Sequence, residues 1–505
     1  MKKITFLSLT IILSLSLLLF SGCLYEEASS SDSNQENVQT IVEIGNSSTL
    51  QKELLDGGDF ILTTDLETKG IDVPVGSVSS VNLGGYTLSA ELREEGETHY
   101  YAISNYGELT LYGDGVISGR AIRNYGTLIL EGFTVFGTDG DFPVIYNEGE
   151  IYIKDVKLSN LALGNECDGQ TASVINNLGK LFMENSQINS ENLYYPAIYT
   201  ANSFEMKDCL VTSQTCALLV SKELAVISSS TVSSKGADSV VVESGYLKVL
   251  SGQFSHLESS YAINVVESGS TLELDEIVLD NKINYSDANI VKRLSTVEQV
   301  QNALTAGNSV VLKEDLSLTL SGEEQYGFVL NGTTLDGHGK KITVEKEEVQ
   351  NFISAILTTG GKIKNVEILS PITALVVQNI QKDLTVENSI FKGAIPLFAV
   401  GDGLGFNMSF SDCEFYGWLG YSNGFTFVSF ENCYFGYGNG YQYLKPESNS
   451  LFTNCVFEEG FTFNSQLSIS TLKNCYVGDT LITQENLVSL LGSEANQIIV
   501  DNSLN

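Results

Sequence analysis

The sequence predicts an all-β solenoid in which short strands wind into coils that stack along one axis. Three observations lead to this prediction: a degenerate repeat, alternation of apolar and polar residues inside each repeat, and 46 glycines against 6 prolines. Each repeat is too short to cover its own apolar face, so neighbouring repeats must cover one another. The arrangement that meets this need is a right-handed parallel β-helix, with two or three strands in each coil.

In the first half of the chain the repeat has the form apolar-Ile-x-Asn-x-Gly-x-Leu-x-Leu, as in AISNYGELTLYG, AIRNYGTLILEG and VIYNEGEIYIKD. Its second part alternates in the way that a strand with one buried face does. The Asn-x-Gly before it predicts a turn, because both residues tolerate positive φ. The copies follow at steps of 19 to 25 residues, with one step of 30, when they are aligned on Leu109, Leu128, Ile151, Leu181, Phe204, Leu224, Leu247 and Leu272.

In the second half the repeat changes to apolar-x-Asn/Asp-Cys/Ser-x-Phe. The Asn or Asp is expected to adopt the left-handed conformation at a recurring bend and to hydrogen-bond along the stack. These residues are Asn388, Asp412, Asn432, Asn454 and Asn474.

Four cysteines follow these bends at intervals of 20, 22 and 20 residues, namely Cys413, Cys433, Cys455 and Cys475. Equivalent positions in a stack form a line at a spacing of ~4.8 Å, so four thiolates in a line cannot surround one zinc ion. Disulfides between neighbouring coils would be strained. We therefore predict buried, unpaired thiols and no metal site. Cys209 follows the same pattern, whereas Cys167 and Cys216 do not.

The two halves of the chain are copies of each other. Residues 50–66 align without a gap to residues 300–316, and each copy begins with an amphipathic helix, a glycine stop and a strand. A helix at the start of a stack would cover the unpaired edge of the first coil. The predicted organisation is a signal peptide, an acidic tether and two β-helix modules, each with its own capping helix, at 1–22, 23–40, 41–290 and 291–505.

The N-terminus resembles a bacterial lipoprotein signal. Lys2 and Lys3 precede an apolar run, which ends in Ser21-Gly22-Cys23. The resemblance implies that Cys23 is lipidated and becomes the first residue of an exported protein, held at the cell membrane or outer surface. The acidic stretch 24–40 has almost nothing to bury and is expected to be a flexible tether.

The formal charge of −35 limits the partners that the chain can have. A surface of this sign repels the phosphates of nucleic acids. It also repels an acidic polysaccharide unless a cation such as Ca²⁺ bridges the two. No other cofactor is predicted.

Three residues are candidates for the remnants of a catalytic site. His338, in the stretch LDGHGKKITVE, resembles the Gly-His-Gly signature of polygalacturonases, which are β-helix hydrolases. The other motifs of those enzymes are missing, and the matching stretch of the first half makes the bend with Gly84 and Gly85 instead, so a structural turn is favoured. Arg120 and Arg123 resemble the arginine base of pectate lyases, but no Asp cluster accompanies them. No catalytic residue is predicted.

The most suggestive surface feature is a group of aromatic residues between glycines at 416–443. Aromatic rings on exposed loops can bind sugar rings or partner proteins. The alternative is that the rings pack on the side of the solenoid as a small local core. The candidate ligand-binding residues are Tyr416, Trp418, Tyr421, Tyr437, Tyr441 and Tyr443.

The coils over residues 102–280 resemble those of adhesin-like bacterial and archaeal surface proteins with parallel β-helix repeats of the pectate-lyase-like class. The resemblance implies a membrane-anchored scaffold for binding or display, with a polysaccharide or a cell-surface protein as partner. One alternative is a polysaccharide lyase or glycoside hydrolase, which a groove with three carboxylates and a Lys or Arg would favour. Another is a passive structural protein of the envelope. The sequence favours a protein without enzymatic activity but leaves that question open.

Overall fold

The computed structural model describes residues 41–91, 101–138, 140–163, 172–278, 282–284, 289–320, 325–346, 353–400, 405–422, 424–438, 443–464, 469–495 and 498–502. The described residues belong to one compact unit that is almost entirely β-structure. The predicted signal peptide, the tether with Cys23, and Cys167 and Tyr441 lie outside the described residues.

Successive turns of the chain add strands to long parallel sheets, which confirms the all-β parallel solenoid. Its right-handed sense stays a prediction. The longest sheet, sheet 1, has 28 strands and runs through both halves of the chain. Its strands are Val42–Ile44, Gly58–Leu62, Val78–Asn82, Glu108–Tyr112, Thr127–Glu131, Glu150–Lys154, Lys180–Glu184, Phe204–Lys207, Leu224–Ser228, Tyr246–Val249, Thr271–Asp275, Asn289–Leu294, Ser309–Leu312, Leu316–Leu320, Thr334–Lys346, Gly361–Leu369, Leu384–Glu387, Ile390–Lys392, Asn407–Ser411, Glu414–Tyr416, Phe427–Glu431, Tyr434–Gly436, Ser450–Thr453, Val456–Phe457, Ser470–Lys473, Tyr476–Val477, Thr480–Leu481 and Ile498–Val500.

Two further sheets complete the coils of the first half. Sheet 2 consists of Ile71–Val73, Ile103–Asn105, Ile122–Asn124, Ile145–Asn147, Ile175–Asn177, Ile198–Thr200, Leu218–Val220, Val240–Val242, Ile263–Val265 and Ile283–Asn284. Sheet 3 consists of Leu66–Thr68, Thr87–Ala90, Val116–Ser118, Thr134–Gly137, Lys157–Asn160, Gln187–Ser190, Leu210–Ser213, Ser230–Ser234 and Gly252–Ser255.

In the second half, sheet 4 takes the place of sheet 2, while the strands that follow the left-handed bends, such as Ile390–Lys392 and Glu414–Tyr416, belong to sheet 1. Sheet 4 consists of Tyr326–Leu330, Ser354–Thr358, Thr373–Gln378, Ile395–Val400, Leu419–Tyr421, Tyr443–Pro446 and Thr462–Phe463. Among the described strands, the pair Tyr476–Val477 and Thr480–Leu481 is antiparallel and the other pairs are parallel.

The repeat alignment is confirmed in detail by the strand register. Leu128 pairs with Leu109 on one side and with Ile151 on the other, and Ile151 pairs with Leu181. One position of the alignment is wrong: Phe204 pairs with Ala225 and not with Leu224. Leu224 is 40% exposed, because a shift of one residue in a strand moves its side chain to the other face.

Both predicted helices are present at the start of the two copies. Helix α1, Ser47–Asp56, is capped by Asn46, and helix α2, Val297–Thr305, by a capping box between Thr296 and Gln299. The glycine that follows the helix in each copy, Gly57 or Gly307, has a φ of 79°. A short helix α3, Leu487–Leu491, and two 3₁₀ turns, Glu276–Val278 and Ser493–Ala495, complete the described helices.

The predicted left-handed bends are confirmed. Asn388, Asp412, Asn432, Asn454 and Asn474 all have φ between 43° and 53°. Their side chains bond along the stack, as from Asn432 Nδ2 to Asp412 Oδ1 at 3.2 Å and from Asn454 Nδ2 to Asn432 Oδ1 at 3.3 Å. The first half uses the same bend at Asp155, Asn185, Asp208 and Ser229.

The Asn-x-Gly motif works differently from the prediction. The chain does turn at this motif, where Asn105 Oδ1 accepts the backbone N–H of Gly107 at 3.2 Å, but the asparagines do not have positive φ: they end the strands of sheet 2 and are fully buried. Each amide bonds to the next, from Asn105 to Asn124 at 2.7 Å, Asn124 to Asn147 at 2.8 Å and Asn147 to Asn177 at 2.7 Å. Glycine is required because the backbones of successive coils approach closely here. A Cβ on Gly126 would lie 2.0 Å from the carbonyl oxygen of Gly107 in the preceding coil.

The apolar interior is divided into two clusters. One contains buried side chains from Ile44 to Val278, and the other contains those from Leu294 to Ile498. Sheet 1 continues across the division, because Asn289–Leu294 pairs with a strand on each side. The division lies next to the predicted boundary at 290–291. That the two modules are separate domains, each covered by its helix, stays a prediction.

Candidate functional site

A groove of about 510 Å³ runs across five successive coils of the second half. It lies where the strands of sheet 1 end and the chain turns towards sheet 4. It is lined by Thr343, Val344, Leu369, Ser370, Pro371, Lys392, Gly393, Tyr416, Tyr437 and Gly438. A smaller recess of about 220 Å³ over Lys157 and Leu210 has no aromatic lining.

The floor of the groove is one row of residues in strand register. Leu369 pairs with Thr343 and Lys392, and Tyr416 pairs with Lys392 and Gly436. The residue before each of them is a buried Ile or Phe, so the row faces outwards. Four steps between parallel strands give the floor a length of about 19 Å.

The ring of Tyr416 lies flat along this row because the next position is glycine. A Cβ on Gly436 would lie 2.8 Å from Tyr416 Cδ1 and 2.7 Å from Tyr434 Cε1. The Tyr416 hydroxyl donates a hydrogen bond to Glu414 Oε2 at 2.7 Å. Burial and this hydrogen bond raise the pKa of Tyr416, so the phenol stays neutral.

Lys392 and Ser370 supply the polar groups of the groove. Lys392 Nζ lies 2.8 Å from Glu367 Oε1 and 5.5 Å from the centroid of the Tyr416 ring. Ser370 is 6% exposed, and its Oγ has no hydrogen-bond partner among the described residues. Buried hydroxyls are almost always paired, whereas this one has an unused donor and acceptor beside the groove.

Three glutamates flank the groove, but none of them lines it. Glu367 is paired with Lys392, Glu414 accepts from Tyr416, and Glu458 Oε2 accepts from the Tyr437 backbone N–H at 2.5 Å. A glycoside hydrolase needs two carboxyl groups facing the same bond of the sugar chain. These glutamates instead hold the lining residues.

The six predicted aromatic residues do not form one surface. Tyr416 and Tyr437 line the groove, and Tyr437 is 54% exposed. Tyr421 is a correction: it is 2% exposed, and its hydroxyl lies 2.6 Å from Ser450 Oγ inside the core. The prediction of loops is also wrong here, because Tyr416, Tyr421 and Tyr443 belong to strands. Tyr441 lies outside the described residues.

Trp418 and Tyr443 lie apart from the groove, on the outer face of sheet 4. Their ring centroids are 5.4 Å apart, and the indole packs over Gly420, whose Cβ would lie 3.0 Å from Trp418 Cζ2. Phe398 flanks the indole on its other side, at 6.1 Å. These rings form the small local core that was the alternative interpretation of the segment.

The Gly-His-Gly stretch is a structural bend. His338 and Gly339 have φ of 51° and 79°, and Gly84 and Gly85 have 60° and 86°. The same anchor holds both bends: Lys341 N donates to Asp315 Oδ1 at 2.9 Å, as Thr87 N does to Asp65 Oδ1 at 2.8 Å. The strand that follows the bend is therefore held by the same kind of hydrogen bond in both halves.

Asp336 stabilises the His338 bend by accepting its backbone N–H at 2.9 Å. Burial raises the pKa of Asp336, but hydrogen bonds from Asn365, His338 and Lys364 outweigh it and leave the pKa below its ordinary value. Its carboxylate is therefore ionised and fully engaged near neutral pH.

Arg120 and Arg123 are engaged with aromatic rings. The guanidinium of Arg120 lies 3.2 Å from the centroid of Phe142, and that of Arg123 lies 4.8 Å from the centroid of Tyr125. Such cation–π contacts stabilise the positions of both side chains.

The cysteines follow the predicted arrangement. Cys209, Cys413, Cys433, Cys455 and Cys475 are buried and unpaired, and each thiol lies within hydrogen-bond distance of the carbonyl two residues before it. Cys216 is also buried, with Sγ 3.0 Å from the Leu218 carbonyl oxygen. In the described part of the chain, no group of three His, Cys, Asp or Glu residues is arranged to hold a metal ion.

Sequence reasoning missed Lys392 and Ser370. Lys392 could have been found by aligning the outward positions of the coils, which places it next to Tyr416. Ser370 carries no such signal, because its free hydroxyl depends on how the chain leaves the strand.

Comparison with protein-family models, with curated proteins and with solved structures finds no match to this chain. Within the described residues, none of the helices combines the length and the apolar character needed to cross a bilayer. The fold and the groove are therefore the observations on which a function can be based.

Proposed function

We propose that the chain is an exported lipoprotein whose solenoid binds a glycan in the groove over Lys392 and Tyr416. The observation that carries this proposal is the ring of Tyr416, which lies over Gly436 and lines the groove. Flat aromatic rings bind the apolar faces of sugars, while nearby polar groups bind the hydroxyls. Lys392 and the free hydroxyl of Ser370 are such groups.

The shape of the groove supports a chain-like ligand over a compact one. Its floor extends along the stack over five coils, or about 19 Å at the spacing of parallel strands. A linear glycan can contact Thr343, Lys392 and Gly438 in turn as it follows the axis. A surface with this form also suits a display scaffold, since continuous parallel sheets lie beneath it.

The anchor is proposed from the sequence. Lipidation of Cys23 would hold the solenoid at the cell membrane or outer surface, because each CH₂ group of a lipid chain that enters the bilayer contributes ~0.8 kcal/mol of binding free energy. The acidic tether of residues 24–40 would separate the body from the bilayer. Replacing Cys23 with Ser should move the protein from the membrane fraction to the soluble fraction.

A glycan array tests the binding proposal directly. Wild-type protein should retain at least one glycan, and Tyr416→Ala should weaken that binding by about tenfold or more. Tyr152→Ala removes an equally outward ring, stacked on Phe182 in the first half, and should bind like the wild type. Retention of no glycan by any protein would contradict the proposal and favour a passive envelope protein. Release of shortened sugar chains would favour the enzyme.

A further inference from the structure

The charges around the groove are predominantly negative. On the strand segments that carry the floor of the groove and on the next segment along the stack, the outward positions hold two lysines and four glutamates, namely Lys341, Lys392, Glu345, Glu367, Glu414 and Glu458. The whole chain carries a formal charge of −35, which adds a negative background potential. A carboxylated ligand would meet net repulsion on approach.

Lys392 is the only charged residue in the described lining, and its charge is already neutralised. Its ammonium group is paired with Glu367 at 2.8 Å, and both side chains are partly shielded from water. The remaining N–H donors of Lys392 can still bond to neutral oxygens in a ligand. A ligand carboxylate would have to compete with Glu367 for the same ammonium group.

The other lining groups suit uncharged partners. Ser370 Oγ is buried and free, and it can both donate to and accept from a hydroxyl group. The rings of Tyr416 and Tyr437 offer apolar faces, and the Tyr416 phenol is engaged by Glu414. Nothing in the described lining supplies an unpaired cation.

From these observations we propose that the groove selects an uncharged glycan and that Glu367 sets this selectivity by neutralising Lys392. The proposal rests on the proposed glycan binding and adds the ligand class and a residue that determines specificity. Glu367 acts through Lys392 and is a positioning residue.

The test compares a neutral polysaccharide with its carboxylated form, such as dextran with carboxymethyl dextran, and neutral oligosaccharides with their uronic-acid counterparts. A chelator removes divalent cations that could bridge acidic groups. Wild-type protein should bind the neutral member of a pair and not the carboxylated one. Preferential binding of the carboxylated member would overturn the inference and leave glycan binding in place, whereas binding of neither kind would overturn both.

Variants of Glu367 and Lys392 separate the roles of these two side chains. Glu367→Gln frees the Lys392 ammonium, so binding of the carboxylated glycan should rise about fivefold, with little change for the neutral one. Lys392→Gln should leave carboxylated chains unbound. Unchanged selectivity in Glu367→Gln would overturn the role of Glu367.

Ser370→Ala should weaken neutral binding about fivefold, because the ligand hydroxyl loses its partner. Ser173→Ala is the matched control, since Ser173 is also buried with an unpaired hydroxyl but lies in the first half, away from the groove. Equal binding by the two serine variants would contradict the assignment of Ser370 to the ligand.

Discussion

The two halves of the solenoid fill the same kind of interior in different ways. In the first half, buried asparagines bond amide to amide from Asn105 to Asn177, and Thr200 accepts the last bond at 3.0 Å. In the second half, phenylalanines form two stacked columns. The columns are Phe410, Phe430 and Phe452, and Phe391, Phe415, Phe435 and Phe457, with centroids of successive rings 4.8 to 5.5 Å apart.

This difference shows that strand stacking can be specified by two kinds of interaction. Amide bonds are directional, so a slip of one residue would leave buried donors and acceptors unpaired. Ring columns depend on volume, and a missing ring leaves a cavity between its neighbours. Both repeat once per coil, because equivalent positions of parallel strands lie ~4.8 Å apart, which suits amide hydrogen bonds and offset-stacked rings alike.

The largest effect is expected in the ring columns. Phe430 packs between Phe410 at 4.8 Å and Phe452 at 4.9 Å and is fully buried. Phe430→Ala should lower the free energy of unfolding by about 4 kcal/mol in chemical denaturation. Tyr152→Ala, an outward ring, should cost less than ~1 kcal/mol. Similar losses for both variants would contradict a core built from stacked rings.

The amide ladder is expected to contribute somewhat less for each residue. Asn147 donates to Asn177 Oδ1 at 2.7 Å and accepts from Asn124, so Asn147→Ala leaves both neighbours partly unpaired. The loss should be about 2–3 kcal/mol by denaturation. Asn189→Ala removes a half-exposed amide from the next sheet and should change stability by less than ~0.5 kcal/mol.

The ion pairs of Glu273, where the two halves meet, should contribute folding stability that is lost in acid. Burial raises the pKa of Glu273, but hydrogen bonds from Tyr246, Arg293 and Lys248 outweigh it and hold the pKa below the ordinary 4.5. A carboxyl group with a lowered pKa stabilises the fold above its ordinary pKa and loses that contribution as the pH falls.

Glu273→Gln should therefore cost about 2 kcal/mol at pH 7 and lose less stability than the wild type between pH 5 and pH 3, a range set by ordinary carboxyl titration. Thermal unfolding at a series of pH values measures both effects. Glu267→Gln, at an exposed site just before the same strand, should leave stability at pH 7 unchanged. Parallel pH profiles for wild type and Glu273→Gln would contradict the role of this cluster.

The smallest effect is expected for the cysteines. Serine occupies the same place at Ser186, Ser230 and Ser389, and each of these hydroxyls donates to the carbonyl two residues before it. Cys433→Ser should therefore cost less than ~1 kcal/mol, and Cys433→Leu clearly more because of overpacking.

Thiol titration checks the same environment. Burial raises the pKa of Cys209 to about 11, above the ordinary 9.0, so its stabilising contribution is present below pH 9 and is lost as the pH rises towards 11. The six described cysteines should react with a thiol reagent at pH 8 only after denaturation. Rapid reaction of all six in the folded protein would contradict their burial.

Much of the fold could be predicted because the spacing of the repeats gives the register in which neighbouring strands pair. The bends at Asn432 and Asn454 follow from residue type, and the two helices follow from the gapless alignment of the halves. The amide ladder was missed because Asn-x-Gly has the composition of a turn, while only the stacked coils reveal that Asn124 points inwards.

The candidate site was predicted only in part. Its lining comes from five coils, and loops of unequal length between them hide which residues share a row. Tyr421 could have been placed inside, since Leu419 and Tyr421 alternate on one face of a strand. The free hydroxyl of Ser370 depends on side-chain packing that no pattern in the sequence encodes.

The central claim, that the coils stack in this register through both halves, is tested most directly by distances between spin labels on sheet 1. Val78 and Lys180 are four coils apart in the first half, as Thr385 and Thr471 are in the second. Each pair should have a narrow distribution, with backbones about 19 Å apart, since each step adds one strand spacing. Distributions that are broad or centred beyond about 30 Å would contradict the stacked solenoid.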